Sequence, residues 1–289
     1  SIMQSKYPAG RLPEPRSPIA DDGDETRFCG TCAFSSACIV AGYDKPELAE
    51  LQCLVEHVGP FRAGEHIFRT GDPFRAIFAV RSGTVKTRMV DKEGREQVLG
   101  FYLPGEVIGL NAIYPEHFPC DAVALDTAFF CRFSFPAMSA LASRVPAVQK
   151  HLFRMLSKEL GTASLLAGDH SADERVAAFL MDLAGRYAAR GFSATRFHLS
   201  MSRGDIANYL RLAAETVSRV LSRFRTRNLI RIEGRELELL DVGGLRKIGQ
   251  ALLAEGGNVA RFTRPEPFPG LHAVAHANGD SGRRGRRSG

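Results

Sequence analysis

Arg203-Gly204-Asp205-Ile206-Ala207-Asn208-Tyr209-Leu210-Arg211-Leu212-Ala213-Ala214-Glu215-Thr216-Val217-Ser218-Arg219 is the stretch on which the fold of this chain turns. Ser202 just before it and Asp205 three residues on have the spacing of a reciprocal helix cap, which opens a helix over 203–210. Arg211-Leu212-Ala213 then turns the chain into a second helix over 214–227. Its Val217, Val220, Leu221 and Phe224 recur at helical spacing and face the first helix. Two short helices joined by so short a turn form a helix-turn-helix. Strands over 230–233 and 236–240, joined at Gly234-Arg235, add a wing.

The other face of the second helix carries Glu215, Ser218 and Arg219, at i, i+3 and i+4 in the N-terminal half, where a recognition helix meets base edges. The Arg219 fork suits guanine O6 and N7, Glu215 can accept from a cytosine amino group, and Ser218 is a permissive contact. Arg203, Arg211, Arg223 and Arg225 flank them as phosphate contacts. Between Arg203 and Arg235 eight arginines stand against Asp205, Glu215 and Glu233, a local charge of +5 in a chain whose net charge is +6. That footprint points to double-stranded DNA as the partner. Ala213 falls at the N-cap of the second helix, where a residue without a side-chain oxygen costs about 1 kcal/mol.

Upstream, a helix over 172–190 sets Val176, Phe179, Leu180 and Leu183 on one face. Pro136 and Pro146 bracket the transition to a long helix ending near Gly168, with Val148, Leu152, Met155, Leu156, Leu160, Ala163 and Leu166 as its apolar stripe. This is read as a dimerisation helix with a weak seam, because Glu159, Gly161 and Thr162 interrupt the stripe. The same stripe would also serve to pack the helix on its own sheet domain. From about 59 to 135 the pattern is β-rich, with strands over 76–80, 84–90, 97–102 and 128–133. Gly71, Gly83, Gly94 and Gly105 mark the turns of a β-roll.

Cys29-Gly30-Thr31-Cys32 followed by Cys38 is a C-x2-C-x5-C run that would let a short loop wrap one metal centre with three soft sulfurs. A fourth ligand has to come from Cys53, Cys120, Cys131 or a histidine. No apolar leader pattern occurs in 1–27, and nowhere are there about 18 uninterrupted apolar residues. The expected setting is therefore the cytoplasm, with no membrane partner, where clustered thiols bind metal rather than pair as disulfides. Segment 97–130 holds no Lys or Arg but has Glu106, Glu116, Asp121 and Asp126, so a buried cyclic-nucleotide phosphate would lack a counter-charge and no such ligand is expected. Haem ligation by His57, His66 or His117 is the weaker reading for those residues. With no GxGxxG loop or nucleophile constellation, no enzyme is expected.

Several segments together, in order, carry a family resemblance over about 28–245. They are Cys29-x2-Cys32-x5-Cys38, Arg81-Ser82-Gly83-Thr84-Val85-Lys86, Glu96-Gln97-Val98-Leu99-Gly100-Phe101, Arg203 to Leu210 and Glu215-Thr216-Val217-Ser218-Arg219. The chain resembles FNR-type oxygen-responsive regulators of the CRP/FNR family. The resemblance implies an α+β fold: an N-terminal β-roll like the cyclic-nucleotide-binding jelly roll, a long dimerisation helix and a C-terminal winged helix-turn-helix. It implies a 4Fe-4S cluster and chooses Cys131 as fourth ligand, because Ala124-Leu125-Asp126-Thr127 matches the register that precedes it; Cys120 is the neighbouring alternative. Also implied are a homodimer when the cluster is loaded, a TTGAT-N4-ATCAA-like DNA site, and contact with RNA polymerase near Ser82 and Gly94. A zinc-stabilised regulator on the same ligands is the alternative. The expected division is a disordered segment 1–27, a cluster-binding loop plus β-roll 28–135, the dimerisation helix 136–170, the winged helix-turn-helix 171–248 and a disordered basic tail 256–289.

Overall fold

A computed structural model describes residues 55–162 and 168–255. Cys29, Cys32, Cys38 and Cys53, the segments 1–27 and 256–289, and the side chains of Leu160, Ala163 and Leu166 lie outside the described residues.

Eight antiparallel strands form the roll: β1 (Val55–Phe61), β2 (His66–Phe68), β3 (Ala76–Ser82), β4 (Val85–Val90), β5 (Glu96–Tyr102), β6 (Val107–Ile108), β7 (Asp121–Ala124) and β8 (Ala128–Ser134). They make two four-stranded sheets, ordered β1-β8-β3-β6 and β2-β7-β4-β5. β3 reads as an unbroken apolar run because both its faces are covered: Ala76, Phe78 and Val80 point into the roll, Ile77 and Ala79 away from it. Aromatic rings fill the interior, where Phe68 stacks on Phe118 at 3.8 Å and Phe61 meets Phe130 edge-on at 5.4 Å. Gly83 closes the β3–β4 turn at φ 82°, and a Cβ there would stand 2.5 Å from the Thr127 carbonyl oxygen, so only glycine lets this turn pack against 125–128.

The stretch 136–170, expected as one helix, is divided. α1 (Phe135–Arg144) ends at Val145, which is extended (φ −118°, ψ 98°), and α2 (Pro146–Thr162) begins at the next residue. Proline excludes helical geometry from the residue before it and has no N–H to continue the ladder. The two helices cover the outer face of the first sheet. Met138, Leu141 and Val148 are buried there with Ile77, Ala79, Cys131 and Phe133. Leu152, Met155 and Leu156, expected in a dimer seam, are partly buried against this same cluster, so the roll itself takes much of the stripe. Among the described side chains of α2, Phe153, 62 % exposed, is the large apolar one left uncovered.

The C-terminal part comprises α3 (Ala172–Ala188), β9 (Arg196–His198), α4 (Arg203–Leu210), α5 (Ala214–Thr226), β10 (Ile230–Glu233), β11 (Glu236–Leu239), α6 (Val242–Ile248) and α7 (Gln250–Glu255). A full capping box, Ser171 with Glu174, starts α3. β9 adds a third strand to the wing, in the order β10-β11-β9. Its core joins Val176, Leu180, Ile206, Val217, Phe224 and Leu237 to Val98, Phe101 and Leu103 of the roll, so the two parts share one apolar cluster. Among the described residues no helix is long and apolar enough to cross a membrane.

Candidate nucleic-acid interface

The cap expected at Ser202 is present: its hydroxyl accepts from the Asp205 N–H at 3.0 Å, and the Asp205 carboxylate accepts from the Ser202 N–H at 3.3 Å. Arg211 turns the chain between helices in the left-handed conformation, φ 57°. α5 has Ala213 as its N-cap, with no side-chain cap bond, and buries Val217, Val220, Leu221 and Phe224. Buried residues at that spacing fix which face looks outward, and Glu215, Ser218 and Arg219 are all exposed on it.

The arginines around this face are not equivalent. Arg223 forms an ion pair with Asp173 in the first turn of α3. Arg203 is half-buried, and burial pulls its guanidinium below the ordinary value. On the wing, Arg231 pairs with Glu238 at 2.6 Å and Arg196 with the same carboxylate at 3.2 Å. The +5 footprint read between Arg203 and Arg235 is thus partly neutralised by Asp173 and Glu238, which lie outside that window. Arg175 on α3 donates to the carbonyls of Gly168 (3.0 Å), His170 (3.2 Å) and Leu210 (3.3 Å), fastening the segment before α3 to the C-terminal end of α4.

Sequence reasoning missed how this reader is held. Lys86 Nζ on β4 donates to Glu96 at 2.7 Å and to Asp205 at 2.6 Å. Burial alone would raise the Asp205 carboxyl, but the Lys86 ammonium and the Ser202 bonds hold it below its usual value. The Asn208 carboxamide bonds the β5 backbone at Val98 and Glu96. Ser200 donates to Asp126 at 2.6 Å. Glu106, 8 % exposed, accepts from Arg186 and Arg190, whose side chain is 4 % exposed. Glu106, one of the carboxylates that stood without cations in 97–130, finds Arg186 on α3 and Arg190 just beyond it, a pairing across 80 and 84 residues that no local pattern signals, while Asp121 finds Arg88 on β4.

Of the two described cysteines, Cys120 is 1 % exposed inside the roll, in one cluster with Phe68 and Phe118. Asn111 donates to its sulfur at 3.5 Å, and burial pushes the thiol up, away from the thiolate that a metal needs. Cys131, 7 % exposed, points the other way, into the cluster shared with α1 and α2. It lies opposite His57 on β1, the strand through which the chain enters the roll from its cysteine-bearing N-terminal part. Ser82 and Gly94, expected near polymerase, sit exposed at turns of the roll.

Residues 59–144 match the cyclic nucleotide-binding domain family and residues 174–248 the Crp-like helix-turn-helix domain. Transcriptional activator protein Anr of Pseudomonas aeruginosa is 41% identical over 216 residues, covering 74% of this chain and 88% of that protein. An anaerobic regulatory protein of Haemophilus influenzae is 38% identical, covering 75% and 86% respectively. The structure of FixK2 from Bradyrhizobium japonicum superposes with a TM-score of 0.62 at 30% identity, covering 67% of this chain and 96% of that one.

Proposed function

Because the chain belongs to the CRP/FNR family of transcriptional regulators, we propose that it is an oxygen-responsive member, with a 4Fe-4S cluster held by Cys29, Cys32, Cys38 and Cys131. Its role is DNA binding in transcription and not catalysis. In this reading two copies meet along α2, and each presents Glu215, Ser218 and Arg219 to one half of a TTGAT-N4-ATCAA-like site.

The placing of Cys131 carries the proposal. Its thiol shares one apolar cluster with Leu152, Met155 and Leu156 of α2, so whatever ties Cys131 to the N-terminal thiols also bears on the packing of the helix along which two copies would meet. Cys120 offers no such link, since it faces the aromatic interior. Four thiolates are a soft donor set suited to iron-sulfur chemistry. When bound, the cluster would supply an oxygen-labile bridge between the N-terminal loop and the roll. The chain's own residues do the rest. Cys131 holds its corner from the rigid β8, Phe153 and the outer edges of Leu152 and Met155 offer a second copy a modest apolar seam, and α5 reads bases. A weak seam suits a switch, because an effector shifts a dimer equilibrium only by the difference in free energy with which it favours the two states. The relatives' names, which speak of anaerobic regulation, agree with the oxygen reading. Against a cyclic-nucleotide phosphate, segment 97–130 supplies no Lys or Arg, and the buried Lys86 of β4 is already engaged by Glu96 and Asp205. Exposed turns at Ser82 and Gly94 are the proposed polymerase contacts.

The test is anaerobic purification with iron and sulfide analysis, followed by sizing and DNA binding before and after exposure to air. A coloured, dimeric, DNA-binding protein that bleaches and dissociates in air is expected. A colourless protein with one zinc per chain refutes the cluster assignment.

A further inference from the structure

Among the described residues β5 is an edge strand, with β4 on one side and no strand on the other. A buried edge needs partners for its outward N–H and C=O groups. Here a side chain provides them. The Asn208 carboxamide accepts from the Val98 N–H at 2.7 Å and donates to the Glu96 carbonyl at 2.7 Å, the two bonds that one residue of a neighbouring parallel strand would make. Asn208 is one of only eight residues in α4 and a poor helix former, so its place there answers to β5 rather than to its own helix.

Flanking contacts come from β4 and from β5 itself. Lys86 joins Asp205 at 2.6 Å, and Phe101 packs edge-on against Tyr209 at 5.3 Å and against Phe179 at 6.0 Å. Beyond β5, Glu106 receives Arg186 and Arg190. Contacts spread along a strand fix α4 and α3 in rotation as well as position. All the while Glu215, Ser218 and Arg219 on α5 remain exposed, so the docked reader is open to DNA.

We propose that the β5 edge is the docking surface on which the roll seats its own reader, with Asn208 as the positioning residue that stands in for the missing strand. The reader then rides with the roll, and the base-reading face of α5 is carried at a set distance from α2. This rests on the reading that two copies bind a two-fold DNA site. Half-sites about one helical turn apart demand two readers at one spacing, whereas readers held to their rolls by the covalent chain alone sample many spacings.

The test uses the full chain as wild type, Asn208→Ala and Asn208→Asp, the last keeping shape but turning a carboxylate towards the Glu96 carbonyl. Each is titrated by fluorescence anisotropy against a TTGAT-N4-ATCAA duplex and against a duplex with one half scrambled, and amide exchange is followed at Val98. Both variants should lose about tenfold or more on the two-half duplex and change less than about twofold on the single half, with the Val98 amide of Asn208→Ala exchanging faster. Equal loss on both duplexes would mark Asn208 as a residue of the reader's own fold and overturn the proposal, as would undiminished binding to the two-half duplex. A Val98 amide still protected in Asn208→Ala overturns the docking itself, whatever the DNA result. A wild type that binds neither duplex refutes the DNA site alone and leaves Val98 to decide the docking.

Discussion

Replacing Glu106 by Gln keeps the shape of the side chain and removes the charge on which the roll–reader contact centres. The carboxylate accepts from Arg186 Nε at 2.9 Å, Arg186 Nη2 at 2.6 Å, Arg190 Nη2 at 2.8 Å and the Leu103 N–H at 2.8 Å. Burial by itself would push this carboxyl up, but the guanidiniums of Arg186 and Arg190 prevail and hold it at about 2, against an ordinary 4.5. A folded-state value below the unfolded one means stability that is complete above pH 4.5 and is lost as pH falls towards 2. At about 1.4 kcal/mol per tenfold change in proton affinity, the contribution at neutral pH is about 3 kcal/mol. The cost of breaking a buried ion pair, about 3–5 kcal/mol, agrees in size, since Gln would leave the buried Arg190 without its counter-charge while Arg186 keeps Asp182 at 3.0 Å. Urea unfolding of wild type and Glu106→Gln, run at pH 7, 5 and 3, checks both magnitude and sign. The variant should be about 3 kcal/mol less stable at pH 7 and 5, with the gap falling to less than about half by pH 3. A gap below about 1 kcal/mol at pH 7, or one undiminished at pH 3, refutes the account of Glu106 as a buried, charged anchor.

Cys131→Ala purified without oxygen should lose iron, sulfide and colour, while Cys120→Ala keeps them; colour retained in Cys131→Ala would show the fourth ligand to be another residue. Arg219→Ala should cost about 1–3 kcal/mol at the cognate site and relax one base position, and an equal loss on random DNA would make it a phosphate contact instead. Asp173→Asn releases Arg223 for phosphate, so binding should tighten across all sequences and the slope of log K against log salt should steepen by about one, an unchanged slope showing that Arg223 never reaches the backbone. Gly83→Ala should destabilise the roll by about 2 kcal/mol or more, because φ 82° and a carbonyl oxygen 2.5 Å from the added Cβ both oppose it; a melting temperature equal to wild type would contradict the packing of that turn.

The reader was legible because its signals are local. The Ser202/Asp205 cap, the apolar period of Val217, Val220, Leu221 and Phe224, and the exposed Glu215, Ser218 and Arg219 all depend on spacing within one helix or its cap. The strands 76–80 and 128–133 were readable for the same reason, within a residue or two of β3 and β8. Short strands such as β2, β6 and β9 were not, since two or three residues carry no period and these exist only because a neighbour pairs with them. The break at Val145 was half visible in Pro146, but the apolar stripe on both sides of it reads as one helix until the sheet beneath is known.

Sequence by itself determined the helix-turn-helix, the β-roll, the soft-ligand cysteine run and, through family register, the preference for Cys131. Only the tertiary structure decided that Cys131 faces the helices while Cys120 faces the aromatic interior, because Cys131 lies on β8 and Cys120 just before β7, and the side each thiol faces is assigned by packing and not by spacing. It also decided that Leu152, Met155 and Leu156 lean on the roll, that Arg223 meets Asp173, and that Asn208 and Glu106 join the two parts of the chain. These are contacts between residues far apart along the chain. Their energy comes from desolvated charges and backbone groups that find each other only once both surfaces are folded, so no window of sequence could contain them.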